Sequence, residues 1–408
     1  MTAEATAERL AIDGGEPVRS TPWPFWPHYD DDEIKAVVRV LRSGRVNYWT
    51  GGEGRAFEQE FAAFHRMPFG VALANGTVAL ELALRILGIG PGDDVVVTPR
   101  SFIASASSIV LAGAHPVFAD VDRDGGVITP ATIAAAITPR TRAILAVHLG
   151  GWPCEMPAIV ELARERGLRV IEDCAQAHGA TVDGQLVGTF GDVGVFSFCQ
   201  DKIITTGGEG GMILVRDPEL WSAAWSFKDH GKSWDRVHAT DHPPGFRWLH
   251  DGFGSNWRLT ESQAAIGRIQ LGKLDTWRER RLALARRLDS GLADLPGLRL
   301  PAGPSRLGLA YYRYYIHVRP EALAPAWDRD RILVALSAEG VPVLSGSCSE
   351  MYLEHAFDDR PERPAERLPI ARELGETSLA LALHAALTER EVDDVIAAFQ
   401  KVVARATA

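Results

Sequence analysis

Three short segments of this chain carry side chains that could act together on a small charged ligand. The first holds Lys202, in Phe198-Cys199-Gln200-Asp201-Lys202-Ile203-Ile204-Thr205-Thr206-Gly207-Gly208-Glu209-Gly210-Gly211, an amine between a strand-like apolar run and a glycine-rich turn. The second closes another apolar run with a carboxylate, Val170-Ile171-Glu172-Asp173. The third, Asn75-Gly76-Thr77, joins the run Val71-Ala72-Leu73-Ala74 to a helical pattern. An amine near a carboxylate at the ends of buried strands is what pyridoxal phosphate (PLP) chemistry requires. The amine holds the cofactor aldehyde as an imine, and the carboxylate keeps the pyridine nitrogen protonated so that the ring withdraws electrons. The Asn75 turn suits a phosphate: free N–H groups and a helix dipole favour an anion, Gly76 permits close approach, and Thr77 adds a hydroxyl.

Other side chains fit the same chemistry. Ser197, between Phe196 and Phe198 on an apolar run, offers the phosphate a second hydroxyl. Phe102, opening the helical pattern after Val95-Val96-Val97-Thr98, offers an aromatic face to a planar ring. Gln176 is placed to bond the cofactor's phenolic oxygen, and a buried Asp173 needs a cationic partner such as a pyridinium. His148 and His178 read as structural histidines. Cys154, Cys174, Cys199 and Cys348 form no C-x-x-C pair and have no histidine at metal-ligand spacing, so they read as free thiols of a reducing cytoplasm, with no metal centre. Cys174 and Cys199, although close to the proposed site in sequence, read as small packing residues.

The elements that must position these groups follow from periodicity. Between residues 70 and 215, short apolar runs (71–74, 95–98, 116–121, 143–148, 169–173, 193–198 and 212–215) alternate with helical patterns at 78–87, 102–111, 129–136 and 156–166. Continuous apolar strands separated by helices predict a mostly parallel α/β sheet covered on both faces. Ligands of such sheets bind beyond the strand C-termini, where Asn75, Thr98, Asp173 and Ser197 fall. A long arginine-rich helical stretch, 259–292, leads to a second part with a strand at 312–318 and helices at 328–339 and 389–404. Proline-rich segments at 295–304 and 361–369 read as loops.

Length and charge set the outer limits. At 408 residues the chain is too long for one ordinary core. With 46% hydrophobic and 24% charged residues it has a globular composition, and a formal net charge of −10 argues against a broad nucleic-acid-binding surface. No apolar run approaches the about 18 residues that span a bilayer. Met1 to Leu10 lacks the apolar core of a secretory signal.

Taken in order, several segments resemble the DegT/StrS group of PLP-dependent sugar aminotransferases, over roughly residues 10 to 400. They are Phe57-Glu58-Gln59-Glu60-Phe61-Ala62, Asn75-Gly76-Thr77, Pro91-Gly92-Asp93-Asp94-Val95, Glu172-Asp173-Cys174-Ala175-Gln176-Ala177-His178-Gly179-Ala180, Phe196-Ser197-Phe198, Lys202 with Thr206 to Gly211, and Gly254-Ser255-Asn256-Trp257-Arg258-Leu259-Thr260-Glu261. The resemblance implies fold type I: residues 1–270 as a large domain with a mostly parallel seven-stranded sheet and an N-terminal extension (1–30), and 271–408 as a linking helix and a smaller α+β domain. It makes Lys202 the imine-forming lysine and Asp173 the ring-nitrogen partner. Gln176 contacts the phenolic oxygen, Phe102 stacks on the ring, and Gly76, Thr77 and Ser197 form the phosphate cup. Asn256 would reach the phosphate from a second subunit, implying a homodimer. One departure is the extra glycine in Gly207-Gly208-Glu209-Gly210-Gly211. Relatives with histidine in place of the lysine dehydrate their substrate, which Lys202 argues against.

The expected reaction carries an amino group from glutamate or glutamine to a keto sugar, most simply a nucleotide-linked one. The segment from Trp225 to Asn256 interleaves Trp234, Phe246, Trp248 and Phe253 with Lys228, His230, Lys232, Arg247 and His250. Such a set suits a base and a diphosphate. A keto-cyclitol is the alternative acceptor, because Leu10-Ala11-Ile12-Asp13-Gly14-Gly15-Glu16-Pro17-Val18 is similar to extensions of cyclitol-type members. A silent PLP-binding sensor would have no use for the proton-carrying amine of Lys202.

Overall fold

The computed structural model describes residues 9–408. Its strands, in chain order, begin with β1 (Phe69–Leu73), β2 (Asp94–Val97), β3 (His115–Phe118), β4 (Thr141–Val147) and β5 (Arg169–Asp173). A small hairpin, β6 (Thr181–Val182) and β7 (Gln185–Leu186), precedes β8 (Val193–Ser197) and β9 (Gly211–Val215). The main sheet has seven strands in the order β1-β9-β8-β5-β4-β2-β3. Only β9 runs against its neighbours. Residues of β2, β8 and β9 are buried at every position, as helices on both faces require. Asn75, Asp173 and Ser197 therefore leave the sheet along one edge. Gly211 of β9 pairs there with both Leu73 and Ser197, bringing the glycine-rich turn to the same place.

The helices start where local chemistry permits. Gly76–Ile86 begins two positions earlier than the apolar pattern indicates, because the Asn75 side chain accepts from Val78 N–H at 3.0 Å and caps it. The helix after β2 starts at Ala104, so Phe102 lies in the preceding turn instead of opening the helix. Pro369, expected in a loop, is the first residue of Pro369–Thr377, where a missing N–H costs nothing. Asp31–Ser43, Glu53–Phe64 and Pro218–Lys228 are further helices that were not anticipated.

The 32-residue helix Glu261–Leu292 starts at the Thr260–Gln263 capping box and joins two cores. Ala264, Leu271 and Leu274 pack with Phe57, Phe61, Phe196 and Phe198 against the large sheet. Leu284, Ala285, Leu288 and Leu292 pack in the smaller core. That core lies on a four-stranded antiparallel sheet, β10-β12-β14-β13, made of β10 (Leu298–Arg299), β12 (Arg313–Val318), β13 (Val343–Leu344) and β14 (Ser378–Ala382). Its other contributors are the helices Arg329–Ala338 and Glu389–Ala406, while β11 (Leu307–Gly308) joins the β6–β7 hairpin.

The opening segment, read from sequence as part of the large domain, packs its first described residues on the smaller part and reaches the large domain only from Trp26 onward. Leu10 is buried in the smaller core. The Glu339 carboxylate accepts from Ala11 N–H at 2.8 Å and Val18 N–H at 3.1 Å and pairs with Lys401 at 2.8 Å. Residues 1–8 lie outside the described residues. Among the described residues, no helix is long and apolar enough to cross a membrane.

Candidate active site

A cavity of about 740 Å³ opens at the strand C-termini, lined among others by Gly76, Thr77, Phe102, Asp173, Gln176, Ser197 and Lys202. Seven of the eight anticipated residues thus meet, from four separate loops. Asn256 is exposed and does not line the cavity of its own chain; its backbone bridges to Asp229.

Strand alternation separates the two acids of β5. Asp173 ends the strand at the cavity, with Oδ2 accepting from the Ser105 hydroxyl at 2.9 Å and Oδ1 from Ala175 N–H at 3.1 Å. Ser101 extends this chain to Ser105 at 3.0 Å. Burial raises the Asp173 carboxyl above the ordinary aspartate value, although the two hydrogen bonds and the charge of Lys202 oppose the shift. Glu172 points the other way. It accepts from Gly188, Phe190 and Gly191 N–H at 2.7–2.9 Å and from His148 Nε2 at 3.2 Å. Because His148 Nδ1 accepts from Cys154 N–H at 3.0 Å, its proton resides on Nε2 and the ring is a neutral structural group. Glu172 and His148 lie beside Cys174, but these hydrogen bonds account for both side chains.

His178 is buried against Phe196 and Phe198, yet neither ring nitrogen has a hydrogen-bond partner among the described residues. Burial pushes its pKa down to about 3, keeping it neutral. All four cysteines are free, and burial pushes the thiols of Cys154 and Cys174 well above their ordinary value.

Lys202 follows β8 in a turn closed by its own N–H on Cys199 O at 3.0 Å, and its carbonyl accepts from Trp26 Nε1 at 2.9 Å. Among the described residues its Nζ has only long polar contacts, 3.5 Å to Tyr312 Oη and 3.6 Å to Asp201 Oδ1. Burial raises the Asp201 carboxyl, but the Lys202 charge, the Tyr312 hydroxyl and Arg313 outweigh it and hold the group below the usual aspartate range. The extra glycine of the following turn has a physical use: Gly207 and Gly208 both take positive φ, +83° and +126°.

These residues pass a direct test of fit to PLP. A Cβ on Gly76 would lie 2.7 Å from Ser197 Cβ and 3.0 Å from its Oγ, so the missing side chain keeps the N-terminus of Gly76–Ile86 against that hydroxyl. Asp173 is a buried acid without a salt-bridge partner among the described residues, and Phe102, on the cavity wall, is 67% exposed. Gln176, on the cavity wall, accepts at Oε1 from Gly150 N–H at 2.7 Å, so its NH2 end is the part left to donate.

Several cavity residues escaped the sequence reading. Ser105 falls at helical spacing from Ser101, just before the helix, and from Ser108 within it, a usable signal in a mostly apolar stretch. Tyr312, Arg313 and Tyr315 come from the small domain, at and just before the start of β12, and nothing local shows that they face Lys202. The cation-rich segment after Trp225 also behaves differently than expected. Lys228 is fully buried with Glu58 at 2.6 Å and so is not available to a diphosphate, while Lys232 pairs with Asp229 at 3.0 Å. Phe246, Trp248 and Phe253 are exposed.

A weakly partnered amine, a buried acid and a side-chain-capped helix start, brought together at the strand ends of a seven-stranded sheet of this order, match a PLP-dependent aminotransferase of the α/β class. Residues 27–400 match the model of the DegT/DnrJ/EryC1/StrS aminotransferase family, and the chain belongs to that family. It is 40% identical over 347 residues to L-glutamine:2-deoxy-scyllo-inosose aminotransferase of Streptomyces kanamyceticus, covering 83% of this chain and 80% of that one. It is 38% identical to UDP-N-acetyl-3-dehydro-alpha-D-glucosamine 3-aminotransferase of Acidithiobacillus ferrooxidans, covering 89% and 91%. The crystal structure of an aminotransferase from Psychrobacter cryohalolentis superposes with a TM-score of 0.93 at 50% identity, over 95% of this chain and 100% of that one.

Proposed function

We propose that this enzyme moves an amino group from glutamine or glutamate to the keto carbon of a nucleotide-linked sugar, with Lys202 as the proton carrier. The observation that carries this reading is the meeting, in one cavity, of a weakly partnered amine, a buried acid and the Gly76–Ser197 cradle. When bound, PLP supplies a ring that stabilises negative charge on the carbon next to nitrogen. The chain's own residues do the rest. Asp173, oriented by Ser105 and Ala175 N–H, would pair with the ring nitrogen and keep it protonated. Gly76, Thr77 and Ser197 would hold the phosphate, Gln176 would donate to the phenolic oxygen, and Phe102 would pack on the ring. Lys202 Nζ removes the α-proton of the donor and, in the second half of the cycle, delivers a proton to the former keto carbon of the acceptor.

Asn256, exposed and outside its own cavity, would complete the phosphate site of a second copy, so the working unit is a homodimer with shared sites. The exposed Phe246, Trp248 and Phe253 offer stacking faces for a nucleotide base, and the 38% identity to a UDP-sugar 3-aminotransferase supports the same acceptor class. A keto-cyclitol is the second reading, favoured by the 40% identity to an inosose aminotransferase.

Borohydride reduction of the yellow holoenzyme, followed by peptide mapping, places the label on Lys202. Lys202→Ala retains cofactor but loses turnover; appreciable activity in that variant refutes the role. Enzyme carrying the aminated cofactor is then offered UDP- and dTDP-linked keto sugars and a free inosose in single turnover. Reaction with the inosose alone would reverse the order of acceptors.

A further inference from the structure

We propose that Trp26 is a positioning residue for Lys202, an assignment that rests on the imine-forming role given to that lysine above. The imine forms when the amine adds to the aldehyde carbon and water leaves, so the amine must be aimed at one atom. The Lys202 side chain does little to aim itself: among the described residues its Nζ has no polar contact shorter than 3.5 Å. Its direction is set by the backbone that carries it.

That backbone is held at both of its polar groups. Lys202 N–H donates to Cys199 O at 3.0 Å, a bond within the turn. Lys202 O accepts from Trp26 Nε1 at 2.9 Å, across 176 positions of chain. The first bond would form in any copy of this turn, whereas the second requires the opening segment to be in place. Gln270 also pins the chain, with Oε1 accepting from Thr205 N–H at 2.8 Å, but it does so beyond the lysine.

Trp26 is itself firmly seated. Its ring meets Trp277 edge-on at 5.1 Å, stacks on His384 at 5.6 Å and lies under the Arg281 guanidinium at 5.5 Å. Trp277 and Arg281 belong to the long helix Glu261–Leu292, and His384 follows β14 of the smaller sheet. Arg281 is fully buried and donates to Tyr311 O at 3.2 Å and to Leu383 O. Just before Trp26, Trp23 Nε1 donates to Gly340 O at 2.7 Å and ties the segment to the smaller part. Just after it, Tyr29 lies beside Thr205 and Gly207 of the lysine's own turn. The indole has one polar atom, and that atom goes to the carbonyl of Lys202.

The test separates the indole N–H from the ring that carries it. Trp26→Phe keeps an aromatic face and loses the donor. Trp26→His loses the fused six-membered ring but keeps an N–H, because imidazole Nε2 stands as many bonds from Cβ as indole Nε1 does. Each change is made in the wild type and in Lys202→Ala. PLP dissociation constants are read by titrating apoenzyme and following absorbance, and thermal melting reports folding. With Lys202 present, Trp26→Phe raises the constant roughly threefold to tenfold, the size of one lost neutral hydrogen bond. It also slows formation of the borohydride-reducible link on Lys202, and Trp26→His restores most of both. In Lys202→Ala, Trp26→Phe leaves the constant where it was, because no amine remains to be aimed. If Trp26→Phe fails to fold, an indole isostere with sulfur in place of N–H, introduced at that position alone, replaces it in the same comparison. Equal weakening in both backgrounds, equal effects of Trp26→Phe and Trp26→His, or wild-type binding in Trp26→Phe would overturn the assignment. A borohydride label on a residue other than Lys202 in the wild type would instead remove the role of that lysine, and this assignment with it.

Discussion

Replacing Gly76 by alanine puts a methyl carbon 2.7 Å from Ser197 Cβ and 3.0 Å from Ser197 Oγ. Apolar carbons rest at about 3.5–4.0 Å, so the contact must open by about 1 Å. Ser197 cannot yield easily, because β8 is hydrogen-bonded between β5 and β9 and is buried throughout. The N-terminus of Gly76–Ile86 must then retreat, against the buried Ala79, Leu80, Leu82, Ala83 and Leu84 that seat it. Overpacking of this kind costs about 1–3 kcal/mol, and here the displaced groups are those that would hold the phosphate. The expected result is a PLP dissociation constant raised by about 5- to 150-fold, read by titrating apoenzyme and following absorbance. Gly272→Ala is the control: this helical glycine has nothing within 4 Å, so alanine there leaves PLP affinity unchanged and gains about 1 kcal/mol of helix propensity. A Gly76→Ala apoenzyme that binds PLP as tightly as wild type would refute the cradle.

Two further outcomes follow from the electrostatics. The Asp173 carboxyl has a raised pKa in the folded apoprotein because it is buried, so its contribution to stability is greatest below the ordinary aspartate value of 3.8 and is lost as pH rises through the folded value. Asp173→Asn apoprotein should therefore melt higher than wild type at neutral pH, with the gap closing toward pH 4, while its holoenzyme turns over far more slowly; calorimetry across pH and a turnover assay check both signs. Lys228→Met strands the Glu58 carboxylate after removing its 2.6 Å partner and should destabilise by roughly 3–5 kcal/mol in urea, with the acceptor saturation constant unchanged. A selective loss of acceptor binding in that variant would return Lys228 to the ligand.

Local sequence determined much of this enzyme. Apolar runs alternating with helical periods specify a covered parallel sheet, and strand ends followed by Asn75-Gly76-Thr77 or Asp173 specify where an anion and a cation would sit. Those inferences work because backbone geometry and helix capping depend on near neighbours. Tertiary structure alone decided the rest. It set Ser105 beneath Asp173, across 68 positions of chain, and brought Tyr312 and Arg313 to Lys202 across 110 and more. It buried Lys228 with Glu58, and it seated Leu10 in the smaller core. A charged residue type carries no record of whether it will be solvated or buried. Periodicity likewise does not say which distant surface an element will cover, because both depend on how the completed sheets and the long helix pack.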